Sequence, residues 1–283
     1  MDSYRKAQAA VGLLGGASED GRVRWIELDG AVNVRDLGGL DTDDGRTTLA
    51  GRLLRGDNLQ GLSPADVKLL VDDIGVTTIV DLRAPAEVES EGPGPLTRVG
   101  SVRHAHHSVL PEVGSATDVA ADALAVRRHD GALIRYPDDL RCGYYLGYLE
   151  DRPDQVAGAL RSIVQAPGAA LVNCAAGKDR TGVVVALALT AAGVVREAVV
   201  ADYAASAERI EAILDRLRAS HTYAADISSR PDAVAADAPR GETMAAFLDQ
   251  LDVRYGGVAG WLADHGFGPD EVGALRAKLL GPA

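Results

Sequence analysis

The sequence predicts an α/β protein with a central parallel β-sheet flanked by helices. Two short apolar segments, at residues 77–81 and 169–172, are typical of buried strands. The first of them follows a predicted helix over residues 65–73, which begins with a serine cap at Ser63 and a proline at the first helical position. Strands and helices in alternation favour a parallel sheet with helices packed on it.

Further elements are predicted on both sides of these two strands. In chain order they are a strand at 22–28, a turn-rich stretch at 33–39, a hairpin tip at 41–46, a short strand at 53–55, a helix over 140–164 with a break near Pro153, a helix over 181–192 and several helices within 194–280.

Length and composition are those of one globular domain. The chain has 283 residues, of which 47% are hydrophobic and 25% are charged, so it can bury a sizeable core. We expect a flexible leader over residues 1–20 and a single domain over 21–283. The irregular stretch at 108–137 is expected to be a helical insertion or a lid.

Charge and cysteine usage limit the partners and the compartment. The formal net charge of −12 disfavours nucleic-acid binding and an anionic membrane surface. No segment reaches the length of a membrane span, and Cys142 and Cys174 are too few for a disulfide framework. We therefore expect a cytoplasmic protein without a nucleic-acid partner or stable membrane insertion, and we take it to be a monomer. Export without a recognisable signal peptide stays open as an alternative to the cytoplasmic location.

The densest cluster of reactive residue types lies between the second buried strand and the following helix. Residues 172–182 read Val-Asn-Cys-Ala-Ala-Gly-Lys-Asp-Arg-Thr-Gly, so five residues separate Cys174 from Arg180. A loop at a helix N-terminus turns backbone N–H groups inward and favours an anion. Gly177 permits a tight curl, and the guanidinium of Arg180 can hold two phosphate oxygens. The sequence therefore predicts a phosphate-binding loop.

Cys174 is the candidate nucleophile of this loop. The field that favours an anion is also expected to lower the pKa of its thiol, so that it attacks as a thiolate. A Cys and an Arg at this spacing also arise by chance beside an ordinary helix, but the full Gly-Lys-Asp-Arg-Thr-Gly string favours catalysis. A nucleotide-binding Walker loop is excluded, because it needs Gly where the chain has Val172 and Ser or Thr where it has Asp179.

Several motifs outside the loop complete a family pattern. They are Asn-Val-Arg-Asp-Leu-Gly-Gly at 33–39, Leu-Arg-Gly-Asp at 54–57, Val-Asp-Leu-Arg at 80–83, Asp-Tyr at 202–203, Tyr-Gly-Gly-Val at 255–258 and Leu-Arg-Ala-Lys-Leu-Leu at 275–280. Together with the loop they resemble the atypical bacterial protein-tyrosine phosphatases that also act on phosphoinositides, a branch of the Cys-dependent phosphatase superfamily. The resemblance covers residues 26–280 and implies the fold of that superfamily with an added helical lid over 108–137.

The resemblance implies catalysis through a phosphocysteine intermediate, with no metal and no cofactor. Cys174 would attack phosphorus, Arg180 would stabilise the transition state, and Thr181 would donate a hydrogen bond to the departing thiolate. The residues expected to bind substrate are Ala175, Ala176, Gly177, Lys178, Asp81 and Arg83.

Two residues compete for the role of general acid. Asp179 matches the Asp that the family has inside its loop, whereas Asp81 ends a buried strand and is equally consistent with a structural cap. Arg83 either lines the pocket, binds a second anionic group or pairs with Glu87, and Asp57 is expected to be a turn or cap residue.

One position departs from the family pattern, because Asn173 stands where the family has His before the catalytic Cys. Asn also donates and accepts hydrogen bonds, so we expect the loop to form, with the reactivity of Cys174 open. The predicted function is hydrolysis of phosphotyrosine, with phosphoserine, phosphothreonine or phosphoinositides as further substrates. The alternatives are a phosphatase for soluble inositol phosphates or nucleotides, and a phospho-binding protein without turnover.

Other residues are expected to have ordinary roles. His104, His106 and His107 form a short cluster, but no matching Cys and His set elsewhere would complete a zinc site. We expect these histidines at the surface or at a pocket rim. Tyr145 is expected in the core of a helix, and Cys142 is expected to be a buried spectator.

Overall fold

The computed structural model describes residues 23–110, 140–224 and 238–282. The predicted leader at 1–20 and most of the predicted insertion at 108–137 lie outside the described residues. The division of the chain into leader, domain and lid therefore stays a prediction.

The strands of the described part of the chain form one mixed sheet. They are β1 (Arg24–Trp25), β2 (Arg35–Asp36), β3 (Leu53–Gly56), β4 (Val76–Asp81), β5 (Arg103–His106) and β6 (Ala169–Asn173). Their order across the sheet is β1-β2-β3-β6-β4-β5. The last four are parallel to one another, whereas β1 and β2 are antiparallel at one edge.

Helices surround this sheet, which confirms the α/β class. They are α1 (Pro64–Lys68), α2 (Pro85–Glu91), α3 (Leu140–Asp151), α4 (Pro153–Gln165), α5 (Asp179–Ala192), α6 (Arg196–Ala205), α7 (Ile210–Ala219), α8 (Gly241–Tyr255), α9 (Val258–Asp264) and α10 (Pro269–Leu280). A π turn over Leu69–Asp73 continues α1, and 3-10 turns occupy Pro95–Arg98 and Ser206–Arg209. None of the described helices combines the length and the apolar character needed to cross a bilayer.

The predicted helix boundaries rest on side-chain and backbone chemistry that the structure shows. The hydroxyl of Ser63 accepts from the backbone N of Asp66, and the Asp66 carboxylate accepts from the backbone N of Ser63, which closes a capping box. The long helix predicted over 140–164 breaks into α3 and α4, because Pro153 is tolerated only at a helix start.

Several local predictions differ from the structure. The strand predicted at 22–28 is reduced to β1, and helix α2 was not predicted. The turn-rich stretch at 33–39 contains strand β2, whose polar residues do not alternate with apolar ones. Strand β5 was not predicted, because it is an edge strand with Arg103 and His104 exposed. Helix α5 begins at Asp179, so Arg180 lies in its first turn rather than in the loop before it.

The sheet separates two apolar clusters, and alternation along the strands assigns side chains to them. Val80 and Val172 belong to the larger cluster, which α5 fills from the same side. Ile79 and Leu171 belong to the smaller cluster on the opposite face. Strand β6 is buried along its whole length, so the residue that follows it is held at a fixed position at the carboxyl edge of the sheet.

Candidate active site

The phosphate-binding loop predicted from the sequence connects β6 directly to α5. Cys174 follows the last residue of β6, and α5 begins at Asp179. Gly177 has a φ of +68°, and a Cβ on it would lie 2.5 Å from the carbonyl oxygen of Gly56. Only glycine fits at this position without displacing the end of β3, so the curl of the loop depends on it.

Cys174 is fully buried at the base of this loop, and the backbone N of Gly177 donates to its Sγ at 3.3 Å. The methyl groups of Ala175 and Ala176 pack with Leu214 and other apolar residues of α7. The polar atoms that these two alanines can offer to an anion are therefore those of their backbone. The N-terminus of α5 follows and adds its positive dipole end to the same region.

Arg180 is held by a carboxylate that the sequence analysis did not assign to the site. Its Nη1 and Nη2 donate to Oε2 and Oε1 of Glu87 at 2.6 and 3.0 Å, and both side chains are completely buried. Nη1 also donates to the carbonyl of Leu82 at 3.3 Å. Glu87 is itself fixed at the start of α2, where Oε2 accepts from the backbone N of Ala84 at 2.6 Å. The plane of the guanidinium is therefore set before any ligand binds.

Asp179 lies between a lysine and a pair of tyrosines. Its Oδ2 is 2.7 Å from Nζ of Lys178, and its Oδ1 accepts from the hydroxyl of Tyr145 at 2.5 Å. The hydroxyl of Tyr145 also lies 2.6 Å from that of Tyr203. Burial opposes ionisation of Asp179, but the charge of Lys178 and these hydrogen bonds outweigh it and lower its pKa to about 2. Burial also raises the pKa of Tyr145 well above its ordinary value, so its hydroxyl stays a donor.

A buried polar network lies beneath the loop and consists of Asn33, Arg35, Arg55 and Asp202, which we call the support network. Asn33 Nδ2 donates to the carbonyl of Ala176 at 2.9 Å. Arg55 Nη2 donates to the carbonyls of Gly177 and Lys178 at 2.8 and 3.2 Å.

The support network is held together by one carboxylate. Asp202 accepts from Nε of Arg35 at 2.7 Å and from Nη1 of Arg55 at 2.5 Å, and Arg35 Nη1 donates to Oδ1 of Asn33 at 2.9 Å. Burial opposes ionisation of Asp202, yet the two guanidinium groups lower its pKa. Burial and repulsion from Arg55 lower the pKa of Arg35 to about 10, so it remains charged at neutral pH.

Comparison with known proteins agrees with this geometry. A model described as the tyrosine phosphatase family matches residues 26–281. The chain is 30% identical to the triple specificity protein phosphatase PtpB of Mycobacterium tuberculosis over 281 residues, which cover 90% of this chain and 99% of the relative. It is 29% identical to a tyrosine-protein phosphatase of Nostoc commune, over 91% of this chain and 76% of the relative.

The chain belongs to the tyrosine phosphatase family. It is a Cys-dependent phosphatase, and the resemblance that the loop and its companion motifs carry is confirmed. The family members identified in these comparisons are bacterial.

In this phosphatase the two other predicted substrate contacts lie beside the loop rather than in it. Arg83 Nη2 donates to Oδ2 of Asp81 at 2.6 Å, and its Nε donates to Oδ1 at 2.9 Å. Burial opposes ionisation of Asp81, but the bonds and charge of Arg83 prevail and lower its pKa. Arg83 forms its ion pair with Asp81, whereas Glu87 forms its ion pair with Arg180. Burial opposes ionisation of Arg83, but the bonds and charge of Asp81, helped by the charge of Glu87, raise its pKa.

Other predicted residues have the following positions in the phosphatase. Asp57 accepts from the backbone N of Asn33 at 3.0 Å and lies 3.2 Å from Nε of Arg216, which is the capping role expected of it. The hydroxyl of Thr181 and Oδ1 of Asn173 are buried and have no hydrogen-bond partner among the described residues. The other residues predicted to bind substrate directly follow Cys174 in the chain. They are Ala175, Ala176, Gly177 and Lys178.

In the part of the chain that the structure describes, two histidines near β5 contact other protein groups rather than form a metal site. His106 Nε2 lies 2.7 Å from the carbonyl of Arg83, and His107 Nε2 lies 2.9 Å from the hydroxyl of Ser162. Within the described ranges, no group of three His, Cys, Asp or Glu side chains is arranged to hold a metal ion.

The support network and Glu87 are the functional parts that sequence reasoning missed. The residues of the support network lie in motifs that were recognised as family signatures but received no role, and Glu87 was considered only as a partner of Arg83. Arg55 stands in strand β3 beside Leu53 and Leu54, and a buried guanidinium needs a carboxylate partner. That requirement is the signal that points toward Asp202, but the sequence alone does not reveal which of the many carboxylates lies opposite.

Proposed function

We propose that this phosphatase hydrolyses phosphotyrosine in proteins and also accepts phosphoserine and phosphothreonine or phosphoinositides. The observation that carries the proposal is the combination of Cys174, oriented Arg180 and buried Lys178 around one loop. In the empty loop each cation is paired with a carboxylate, Arg180 with Glu87 and Lys178 with Asp179, so a bound phosphoryl group would compete with Asp179 for the charge of Lys178. The relative named a triple specificity protein phosphatase also supports a broad substrate range.

The chemical steps follow from the order of groups around the loop. The thiolate of Cys174 attacks phosphorus, so that an S–P bond forms while the bond from phosphorus to the ester oxygen breaks. The leaving oxygen takes a proton from the general acid. Water then attacks the phosphocysteine and returns a proton to the general acid, while the S–P bond breaks, inorganic phosphate is released and the thiolate is restored. Throughout, Arg180 and the loop N–H groups stabilise the charge on the equatorial oxygens, and Thr181 is proposed to donate to the restored thiolate.

Asp179 is the general acid that we propose. It directly precedes Arg180 in the chain, and its carboxylate lies 2.7 Å from Nζ of Lys178, which is also a residue of the loop. With an empty loop its pKa is about 2. A dianionic phosphoryl group would repel the Asp179 carboxylate and attract Lys178 away from it, and both effects raise the pKa of Asp179. The residue can therefore hold a proton when substrate is bound, although it is ionised in the empty enzyme.

Asp81 is less suited to this role, because both of its oxygens accept from Arg83 in a nearly buried ion pair. We retain Asp81 and Arg83 as proposed contacts to substrate groups beyond the phosphoryl group. A cytoplasmic location, a monomeric state and the lack of a nucleic-acid partner stay predictions from composition.

A substrate panel tests the proposal directly. Initial rates are compared for matched peptides with phosphotyrosine, phosphoserine or phosphothreonine, for phosphoinositides in vesicles, and for soluble inositol phosphates and nucleotides. The proposal expects turnover of the phosphotyrosine peptide and of at least one further class among the other phosphopeptides and the vesicles, with Cys174→Ser as the inactive control. Activity confined to soluble inositol phosphates or nucleotides would contradict it, and binding without turnover of any substrate would favour a phospho-binding protein.

A further inference from the structure

A cavity of about 430 Å³ lies at the carboxyl ends of β4, β5 and β6, and its lining includes the proposed substrate contacts Asp81 and Arg83 but none of the loop residues 174–180. Its volume is within the range of small-molecule sites. Its walls combine an apolar part with a polar end. Ile79 and Leu96 belong to the apolar part, and the polar end includes Asp81, Arg83, His104 and Asn173.

The strand register puts this cavity on the face of the sheet opposite to α5. Asp81 pairs with both His106 and Asn173 in the sheet, so these three side chains form a row across three neighbouring strands. Asn173 shares its face with Leu171 of the smaller apolar cluster, whereas Val172 lies on the face that α5 covers. The cavity therefore adjoins the catalytic loop from behind, one residue before Cys174.

Two buried polar atoms of the cavity lining lack a partner. Nη1 of Arg83 and Oδ1 of Asn173 have no hydrogen-bond partner among the described residues, although the two residues are only 2% and 1% exposed. A buried polar atom without a partner is destabilising. One is a donor and the other is an acceptor, so a ligand that satisfies both must present an acceptor and a donor.

The charges around the cavity disfavour an anion. Arg83 is already paired with Asp81, and the remaining ionisable side chains of the lining are the exposed Glu89, His104 and His106. With neutral histidines, the formal charge of this set is negative. Apolar walls at Ile79 and Leu96 favour a ligand with a flat hydrocarbon body.

We propose that this cavity is an accessory binding site for a small, neutral, flat molecule that carries a carboxamide or a ring amide. Its carbonyl oxygen accepts from Nη1 of Arg83, its N–H donates to Oδ1 of Asn173, and its hydrocarbon part lies between Ile79 and Leu96. Because the site faces away from the phosphate loop, its occupant does not compete with phosphate.

Binding of benzamide to the full chain, measured by calorimetry or ligand-observed NMR, tests this site. Benzoate is the matched probe that has the same shape but a negative charge and no N–H donor. We expect benzamide to bind at least about 10-fold more tightly than benzoate, because the loss of one hydrogen bond at a buried acceptor has an effect of this size. The affinity for benzamide should stay the same when inorganic phosphate is saturating. No binding, equal binding of both probes, or displacement of benzamide by phosphate would each overturn the proposal.

Substitutions in and beside the cavity lining test where benzamide binds. Asn173→Leu removes the acceptor at similar volume and should weaken benzamide binding at least about 10-fold. His104→Trp puts a large ring on the exposed edge strand at the cavity and should abolish binding, whereas Arg103→Trp puts the same ring on the other face of β5 and should not. Unchanged affinity in both Asn173→Leu and His104→Trp would overturn the site. The measurement needs no turnover, so its failure would leave the phosphatase reaction unaffected.

Discussion

Glu87 binds both terminal nitrogens of Arg180, at 2.6 and 3.0 Å, and neither side chain is exposed to solvent. This ion pair links α2 to the first turn of α5. It gives the phosphate-binding guanidinium a fixed orientation, so binding of a phosphoryl group does not require the arginine to be ordered first.

The first prediction concerns this pair. Glu87→Gln removes the charge that compensates Arg180 but keeps the size of the side chain. Removing one partner of a buried ion pair costs about 3–5 kcal/mol, so the free energy of unfolding in urea should fall by about this amount. Glu89→Gln, at an exposed position of the same helix, is the control and should leave stability unchanged. Equal stability of the two variants would remove the structural role of Glu87.

The second prediction concerns Arg55, which donates to the loop carbonyls of Gly177 and Lys178 while it pairs with Asp202. Arg55→Lys keeps the charge, but a single ammonium group cannot reproduce the planar fork. The inhibition constant of inorganic phosphate should rise by about 10-fold or more, because hydrogen bonds to charged groups contribute about 1.5–3 kcal/mol. Arg46→Lys, in an exposed hairpin, is the control and should leave the inhibition constant of phosphate unchanged. An unaltered constant in Arg55→Lys would show that the loop holds its shape without this support.

The third prediction separates the two candidate acids. Asp179→Asn should slow hydrolysis of a phosphoserine peptide, which has a poor leaving group, by about 100-fold. The same variant should slow hydrolysis of an activated aryl phosphate far less, because its leaving group departs without a proton. Asp81→Asn is the comparison variant and should slow both substrates to a similar extent. If Asp81→Asn instead shows the dependence on leaving group, the general acid is Asp81.

The fourth prediction is a pH dependence of stability. The pKa of Asp179 is about 2 in the folded chain and about 3.8 for an ordinary aspartate. A lowered folded-state pKa contributes stability that is present above the unfolded value and is lost as the pH falls toward the folded one. The difference in unfolding free energy between the wild type and Asp179→Asn should therefore decrease by about 2 kcal/mol between about pH 5 and about pH 2. Denaturant titrations of both proteins across this pH range measure this difference in unfolding free energy. A difference that does not change with pH would contradict the ion pair between Asp179 and Lys178.

The sequence predicted those parts of the fold that depend on local patterns. The apolar segments of β4 and β6, the capped start of α1 and the break at Pro153 follow from periodicity and capping, and each is present. Strand β5 escaped prediction because an edge strand carries exposed polar residues that resemble a loop. The start of α5 was placed two residues late, because the polar run of Lys178 and Asp179 hides a helix N-terminus.

The residues of the candidate site were also predicted only in part from the sequence. Only five residues separate Cys174 from Arg180 in the sequence, so their spacing revealed the loop. Glu87 and Asp202 lie 93 and 147 residues from their arginine partners, and no local pattern links positions so far apart. Their pairing is a consequence of burial, because the fold brings an arginine into the interior and must supply a carboxylate beside it.

The central claim is that Cys174 carries the phosphoryl group during turnover. The most direct measurement is acid quenching of the enzyme during turnover of a phosphotyrosine peptide, followed by mass spectrometry of the segment that contains residue 174. The account predicts a phosphoryl group on Cys174 in the wild type, and in Cys174→Ser no turnover but retained binding of inorganic phosphate. Full turnover by Cys174→Ser, with no phosphoryl group on Cys174 of the wild type, would contradict it.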